Sequence, residues 1–214
     1  MKVTAFVDVL SHWCYAAYPA LEALRATIAQ DVEVEIVFAP AFGNANVPMS
    51  REAEVWFYER GALAYGRQLT SAWCEGSRQS STWHANAAVL AAVNAGADPL
   101  RLGAQVSRAG MSDGRLIGRE IEAAGCIAEL TGMQPQAVLD AMRSATVVEA
   151  LDAGNARLAA LGCAERPSWQ LVNGAGDHSV LQGVWQAEAI LPLARALLED
   201  ERAYRRAGPM PENL

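Results

Sequence analysis

The chain has no closely paired cysteines. Its four, Cys14, Cys74, Cys126 and Cys163, are scattered, with no Cys-x-x-Cys spacing among them. That argues against a secreted disulfide framework, and reduced thiols in the cytoplasm are the expectation. Basic charge is also in short supply: 17 Lys and Arg face 24 Asp and Glu, for a net charge of -7. A phosphate backbone needs a basic surface, so nucleic acid is not an expected partner. No apolar run reaches membrane length, because Arg, Glu, Gln or Asn interrupts each one. The opening MKVTAFVDVL carries Asp8 inside its apolar stretch and lacks a small-residue cleavage site, so no signal peptide or membrane partner is expected. There is no internal repeat and no low-complexity tract. What the chain does have is apolar mass: 52% of its 214 residues are hydrophobic, enough to fill a core.

The order of elements can be read from periodicity. Val3 to Leu10 is short and β-rich, a buried strand. Ala17, Leu21, Leu24 and Ile28 recur at helical spacing from Cys14 to Ala29. Val32, Val34, Ile36 and Phe38 then alternate with Glu33 and Glu35, a second strand. Strand, helix, strand predicts a βαβ unit with its two strands parallel. The middle reads as helix throughout. Ser50 caps a helix through Trp56 and Tyr65, Ser81 or Thr82 starts another ending near Gly96, and Asp98-Pro99 opens a third that Gly110 closes. Helices over Arg115 to Leu130 and Pro135 to Met142 follow, and another ends at Leu161-Gly162. Ser168 to Val172 and His178 to Leu181 flank the turn residues Asn173 to Asp177, a hairpin. In the last helix, Pro192 marks a start or a kink. The economical solution is a split α/β sheet interrupted by helices. The expected boundaries are a βαβ part over residues 1–48, an all-helical insertion over 49–145, an αββα part over 146–206 and a tail over 207–214.

Two short segments carry candidate chemistry. Ser11-His12-Trp13-Cys14 falls where the first strand gives way to the first helix. Backbone N–H groups at a helix start favour negative charge and can acidify a cysteine there. His12 as imidazolium would favour a neighbouring thiolate. The same residues also fit an ordinary helix start, with Ser11 a cap, His12 facing solvent, Trp13 in the core and Cys14 a small buried hydrophobe. The second segment is Arg166-Pro167-Ser168, just before the third strand. His84 at a helix start and Cys74 as a second thiol are weaker candidates. His12, Cys14, Cys74 and His84 lack metal-ligand spacing, so no metal is expected. Asp8, Ser11 and His12 are too close in sequence to divide a hydrolase triad's roles.

The run FVDVLSHWCYAAYPALEAL resembles the active-site strand and helix of the DsbA-like branch of the thioredoxin fold. That branch includes cytoplasmic DsbA-like oxidoreductases, 2-hydroxychromene-2-carboxylate isomerases and kappa-class glutathione transferases. ARLAALGCAERPSWQLVNG is similar to the family's closing part, a helix, a glycine-bearing loop, a cis-proline and a strand. Leu181-Gln182-Gly183 before a terminal helix matches as well. The resemblance implies a thioredoxin-like α/β fold with a helical insertion. The layout agrees over nearly the whole chain, while the specific motifs occupy its two ends. DsbA-like oxidoreductases carry Cys-x-x-Cys at this turn; here Ser11 takes the first place and Cys14 the second, so no internal disulfide can close at the site. A serine in that place is like the isomerases and kappa transferases, whereas Trp13-Cys14-Tyr15 is like the oxidoreductases.

By position, the resemblance implies that Ser11 orients a thiol or thiolate and that Cys14 is the only thiol of the site. The third catalytic candidate, His12, comes from its place in the motif and not from the resemblance: its imidazolium would tune a thiolate. Trp13, Arg166, Pro167, Ser168 and Gly183 would contact a peptide-like ligand such as glutathione. Near Gly183 the kappa type places an acid, and this chain reads Val184-Trp185-Gln186. Three functions follow. The first is a single-thiol oxidoreductase in which Cys14 forms a mixed disulfide resolved by an external thiol such as glutathione. The second is a glutathione-dependent isomerase or transferase in which Ser11 does the work. The third is a peptide-binding family member without activity. The implied partner is a small-molecule or thiol substrate; the Trp and Tyr candidates for exposure in the long helical block add a second copy of the chain as an expected partner.

Overall fold

The computed structural model describes residues 1–28, 31–48, 50–66, 68–74 and 81–208. Among these, four strands form one mixed sheet. β1 (Lys2–Val7), β2 (Glu33–Phe38), β3 (Ser168–Val172) and β4 (His178–Gln182) lie in the order β2-β1-β3-β4. β1 runs parallel to β2, with Ala5 opposite Ile36, and antiparallel to β3, where Ala5 faces Trp169. β4 pairs antiparallel to β3 as the hairpin pattern predicts. The parallel pair needs a crossover, and α1 (His12–Ile28) supplies it.

Alternation along β1 divides the core. Val3, Ala5 and Val7 join the main core with Leu21 and Leu24 of α1 and with Ile190 and Ala194 of α8 (Ala187–Ala207). Phe6 faces the other way, packing with Val37, Ala39 and Leu158 beneath α7 (Ala145–Ala160). α7 can come so close because Gly154 has no side chain: a Cβ there would stand 2.5 Å from the Phe38 carbonyl oxygen.

Among the described residues between β2 and α7 every regular element is helical: α2 (Arg51–Tyr65), a 3-10 turn at Ala72–Cys74, α3 (Thr82–Asn94), α4 (Pro99–Met111), α5 (Glu120–Thr131) and α6 (Pro135–Met142). The expected caps act as caps. Ser50 Oγ accepts from the Ala53 N–H, Ser81 Oγ from Trp83 and Asp98 from Arg101. Alanine-rich α3 is buried nearly all round and packs against α4, α5, α6 and α7. Two side chains pin this block to the end of β1: Asn86 Oδ1 accepts from the Val9 N–H at 3.2 Å, and Ser107 Oγ donates to the Val9 carbonyl at 2.7 Å.

Several boundaries differ from the pattern. β1 stops at Val7, because the Asp8 carboxylate takes the Leu10 N–H at 2.9 Å and folds Asp8 to Leu10 into a turn. α4 continues through Gly110, where the absent Cβ makes room for Leu10 and Ile117. α5 starts at Glu120 and not near Arg115, whose N–H is bonded back to the Ala109 carbonyl at 2.9 Å. α8 starts at Ala187, with Pro192 inside it.

Candidate active site at the start of the first helix

The turn after β1 sets the site. The Ser11 N–H donates to the Asp8 carbonyl at 3.0 Å, and Tyr15 closes the first helical bond onto the Ser11 carbonyl at 2.9 Å. Ser11 is therefore the N-cap, and its Oγ accepts from the Cys14 N–H at 3.5 Å. The first turn of α1 contains no acid, so the partial positive charge of the helix start is not compensated within it. Asp8 is fully buried and accepts from Leu10, from Asn86 Nδ2 at 2.7 Å and from the Ala41 N–H at 2.8 Å, which locks the turn to the helical block and to the loop after β2.

The four motif residues have different surroundings. Cys14 is 0% exposed. Burial pushes its thiol up to about 12, outweighing the Asp8 N–H, the Ser11 hydroxyl and Arg166, which all pull it down. His12 is 6% exposed, and its Nε2 bonds the Phe57 carbonyl at 3.1 Å. A carbonyl only accepts, so Nε2 carries the proton. Burial, aided by the charge of Arg60, lowers the ring to about 4, so His12 is a neutral imidazole among Trp13, Phe57, Tyr58 and Tyr65. Trp13 and Ser11 are half-buried.

Ser11, His12 and Trp13 share a wall of a cavity of about 330 Å³. Glu54, Phe57 and Tyr58 of α2 also line it, with Asp8 and Leu10 from the turn after β1, Ala41, Phe42 and Val47 from the loop after β2, and Trp73 and Thr82. Its surface is almost wholly apolar, and the Thr82 hydroxyl is buried with no hydrogen-bond partner among the described residues. Arg60 lies 5.1 Å over the Trp13 ring and 6.0 Å over Phe57. The α2 wall carries no motif in the sequence; its signal is the recurrence of Glu54, Tyr58, Gly61 and Tyr65 at helical spacing on one face.

The second motif lies across the edge of the sheet. The Arg166–Pro167 peptide bond is cis. Arg166 is a clamp: Nε donates to the Ala39 carbonyl at 2.7 Å and one terminal nitrogen to Asn155 Oδ1 at 2.6 Å. Its main-chain N–H and carbonyl make no hydrogen bond among the described residues. Ser168 is fully buried and donates its hydroxyl to the Glu165 carbonyl at 2.8 Å. The Gly183 N–H is taken by the Pro167 carbonyl at 2.9 Å, and its φ of +71 suits glycine. A Cβ there would meet the Glu165 carboxylate at 2.7 Å. His84 lines a different depression, with Arg119 and Glu120. The side chain of Cys74 lies outside the described residues. Among those described, no group of three metal-ligating side chains forms, and no helix is long and apolar enough to cross a membrane.

A mixed sheet crossed by α1, a serine-capped turn at its start, a cis-proline loop beside it and a helical block between the two halves together define a thioredoxin-like protein of the DsbA type. The chain belongs to the DSBA-like thioredoxin domain family, whose model matches residues 2–189. Among solved structures, the fold is shared with a Nitrosomonas europaea protein assigned as a protein disulfide isomerase: TM-score 0.77 at 16% identity, covering 93% of this chain and 98% of that one. The cytosolic disulfide reductase DsbM of Pseudomonas aeruginosa with GSH gives a TM-score of 0.70 at 22% identity, covering 95% and 100% of the two chains. A 2-hydroxychromene-2-carboxylate isomerase gives 0.65 at 18% identity, covering 98% and 100%. At these identities the likeness is one of fold. No curated protein matches the chain in sequence.

Proposed function

We propose that the protein is a glutathione-dependent isomerase or transferase acting on a small electrophile with an apolar body, with Ser11 as the group that holds the glutathione sulfur. The observation that carries this reading is the contrast between two neighbours: Cys14 is sealed into the core, whereas Ser11 stands in the cavity wall at the helix start. A thiol raised to about 12 and closed off from solvent is a poor attacking sulfur, so the mixed-disulfide route through Cys14 is disfavoured.

The residues present fit a bound glutathione. Glutathione brings a nucleophilic sulfur. Ser11 would donate its O–H to that sulfur, and the uncompensated start of α1 would favour the thiolate form. The unbonded main-chain groups of Arg166 suit a peptide-like ligand. Ser168 and Gly183 would shape the loop and leave ligand contact to their neighbours, since their donors are already used. Trp13, Phe57 and Trp73 would enclose the electrophile and keep water from the sulfur. In this reading the enzyme works in the cytoplasm, and the helices of residues 49–145 form the part that shapes the substrate cavity. A homodimer through that part, where Trp56 and Leu63 stand exposed, is checked by sedimentation.

The test is the ultraviolet titration of the thiol of bound glutathione. Wild type and Cys14→Ala should both lower its pKa, and Ser11→Ala should abolish the shift. Loss in Cys14→Ala with retention in Ser11→Ala would overturn the reading.

A further inference from the structure

Arg60 is an exposed cation held in place without an anion. Its guanidinium lies 5.1, 5.8 and 6.0 Å from the Trp13, Trp56 and Phe57 ring centres, so three aromatic rings surround it. On a helix its neighbours lie three and four residues away, and here these are Trp56, Phe57, Leu63 and Ala64, none of them acidic. No carboxylate among the described residues pairs with it. The two acids that line the cavity are engaged elsewhere: Asp8 by Asn86, Leu10 and Ala41, and Glu54 by Arg51 at 3.6 Å. Trp13 and Phe57, which carry Arg60, are also cavity walls.

The geometry points to Arg60 as a specificity-determining residue that binds the carboxylate of an amphipathic organic acid whose apolar body fills the Ser11 cavity. Stacking on rings leaves the edge of a guanidinium free, and two parallel N–H donors there match a carboxylate. A neutral ligand of the same shape would gain only the apolar contacts. The inference rests on the proposed glutathione-dependent reading for its chemistry, but the binding itself can be measured without glutathione.

The experiment is calorimetry on the intact protein with 4-phenylbutyrate, its neutral amide 4-phenylbutyramide, and acetate. Wild type should bind the acid about tenfold more tightly than the amide, and acetate far more weakly than either. Arg60→Gln should bring acid and amide within about twofold of each other while leaving the amide unchanged, and Arg60→Lys should keep only part of the preference. Ser11→Ala should keep all of it. Equal affinity for acid and amide in wild type, a preference that survives Arg60→Gln, acetate binding as tightly as the acid, or no binding of either aromatic probe would each overturn the proposal. So would glutathione displacing the acid together with Arg60→Gln weakening glutathione to the same degree, because Arg60 would then hold glutathione's own carboxylate. Failure of the glutathione reading has a different signature: wild type would bind no glutathione while the acid preference stayed intact.

Discussion

The sulfur of Cys14 accepts a hydrogen bond from the main-chain N–H of Asp8 at 3.3 Å, so the end of β1 and the first turn of α1 close over it. The thiol thus helps to form the turn that presents Ser11, and it does so best as a neutral, buried group. Native protein at pH 8 should react with iodoacetamide at Cys14 about a hundredfold or more slowly than unfolded protein, since the thiol is pushed up to about 12. Peptide mass spectrometry of the alkylated protein reads this directly. Cys14→Ala should cost about 1–2 kcal/mol of stability and leave glutathione binding within about threefold of wild type. Fast alkylation in the folded protein would show that the thiol is open to solvent.

Local chemistry made much of this molecule legible. Ser50, Ser81 and Asp98 cap helices because an N-cap acts on its own N–H groups two or three residues on. The alternation of Val34, Ile36 and Phe38 with Glu33 and Glu35 fixes β2 for the same reason. The boundaries that depart from the local pattern belong to long-range contacts: Gly110 has the look of a stop, yet it is a place for Leu10 and Ile117 to pack. At the site, Ser11-His12-Trp13-Cys14 stands out as a motif, but the burial that separates Ser11 from Cys14 depends on how the end of β1 and the first turn of α1 pack into the main core. Neither the second wall of the cavity nor the stacking of Arg60 is visible until α2 lies beside α1.

His12 should make stability pH-dependent. Its pKa is about 4 in the folded protein against an ordinary 6.5, so the unfolded chain takes up the proton first. The contribution is full above about pH 6.5, is lost as pH falls towards 4, and levels off below that. The gap corresponds to about 3 kcal/mol. His12→Phe keeps an aromatic ring in place, and the difference between wild type and variant in urea denaturation should shrink steadily from pH 7 to pH 4.5. His84, also lowered by burial, is common to both proteins and cancels. A difference that does not change with pH would mean that His12 takes up its proton as readily in the folded protein as in the unfolded chain.

Arg166 and Asn155 should behave as one unit. The guanidinium joins Asn155 on α7 to the Ala39 carbonyl, so it holds the proline loop, the exit of β2 and the helix beneath the sheet together. Arg166→Ala should cost about 2–3 kcal/mol and Asn155→Ala about 1 kcal/mol. The double variant should cost at least about 0.5 kcal/mol less than the sum, because both changes break the same bond. Strict additivity in thermal denaturation would remove the clamp.

Gly61 tests whether the contact between α2 and the site is as close as described. A glycine inside a helix ordinarily costs about 1 kcal/mol relative to alanine, so Gly61→Ala should stabilise the protein if helix propensity decided the outcome. A Cβ on Gly61 would, however, stand 2.7 Å from His12 Cδ2 and 3.2 Å from Nε2, and that nitrogen is tethered to the Phe57 carbonyl one turn back on the same helix, with Trp13 packed against the ring. The ring has no room to retreat without losing that hydrogen bond. Gly61→Ala should therefore destabilise the protein by about 1–2 kcal/mol, as overpacking does in a filled core. It should also weaken whatever binds in the cavity, since Ser11, His12 and Trp13 form one wall. Combined with His12→Ala, which empties the space, the same substitution should turn neutral or favourable. A stabilising Gly61→Ala in the wild-type background would mean that α2 stands further from the first turn of α1 than the packing of Gly61 on His12 requires.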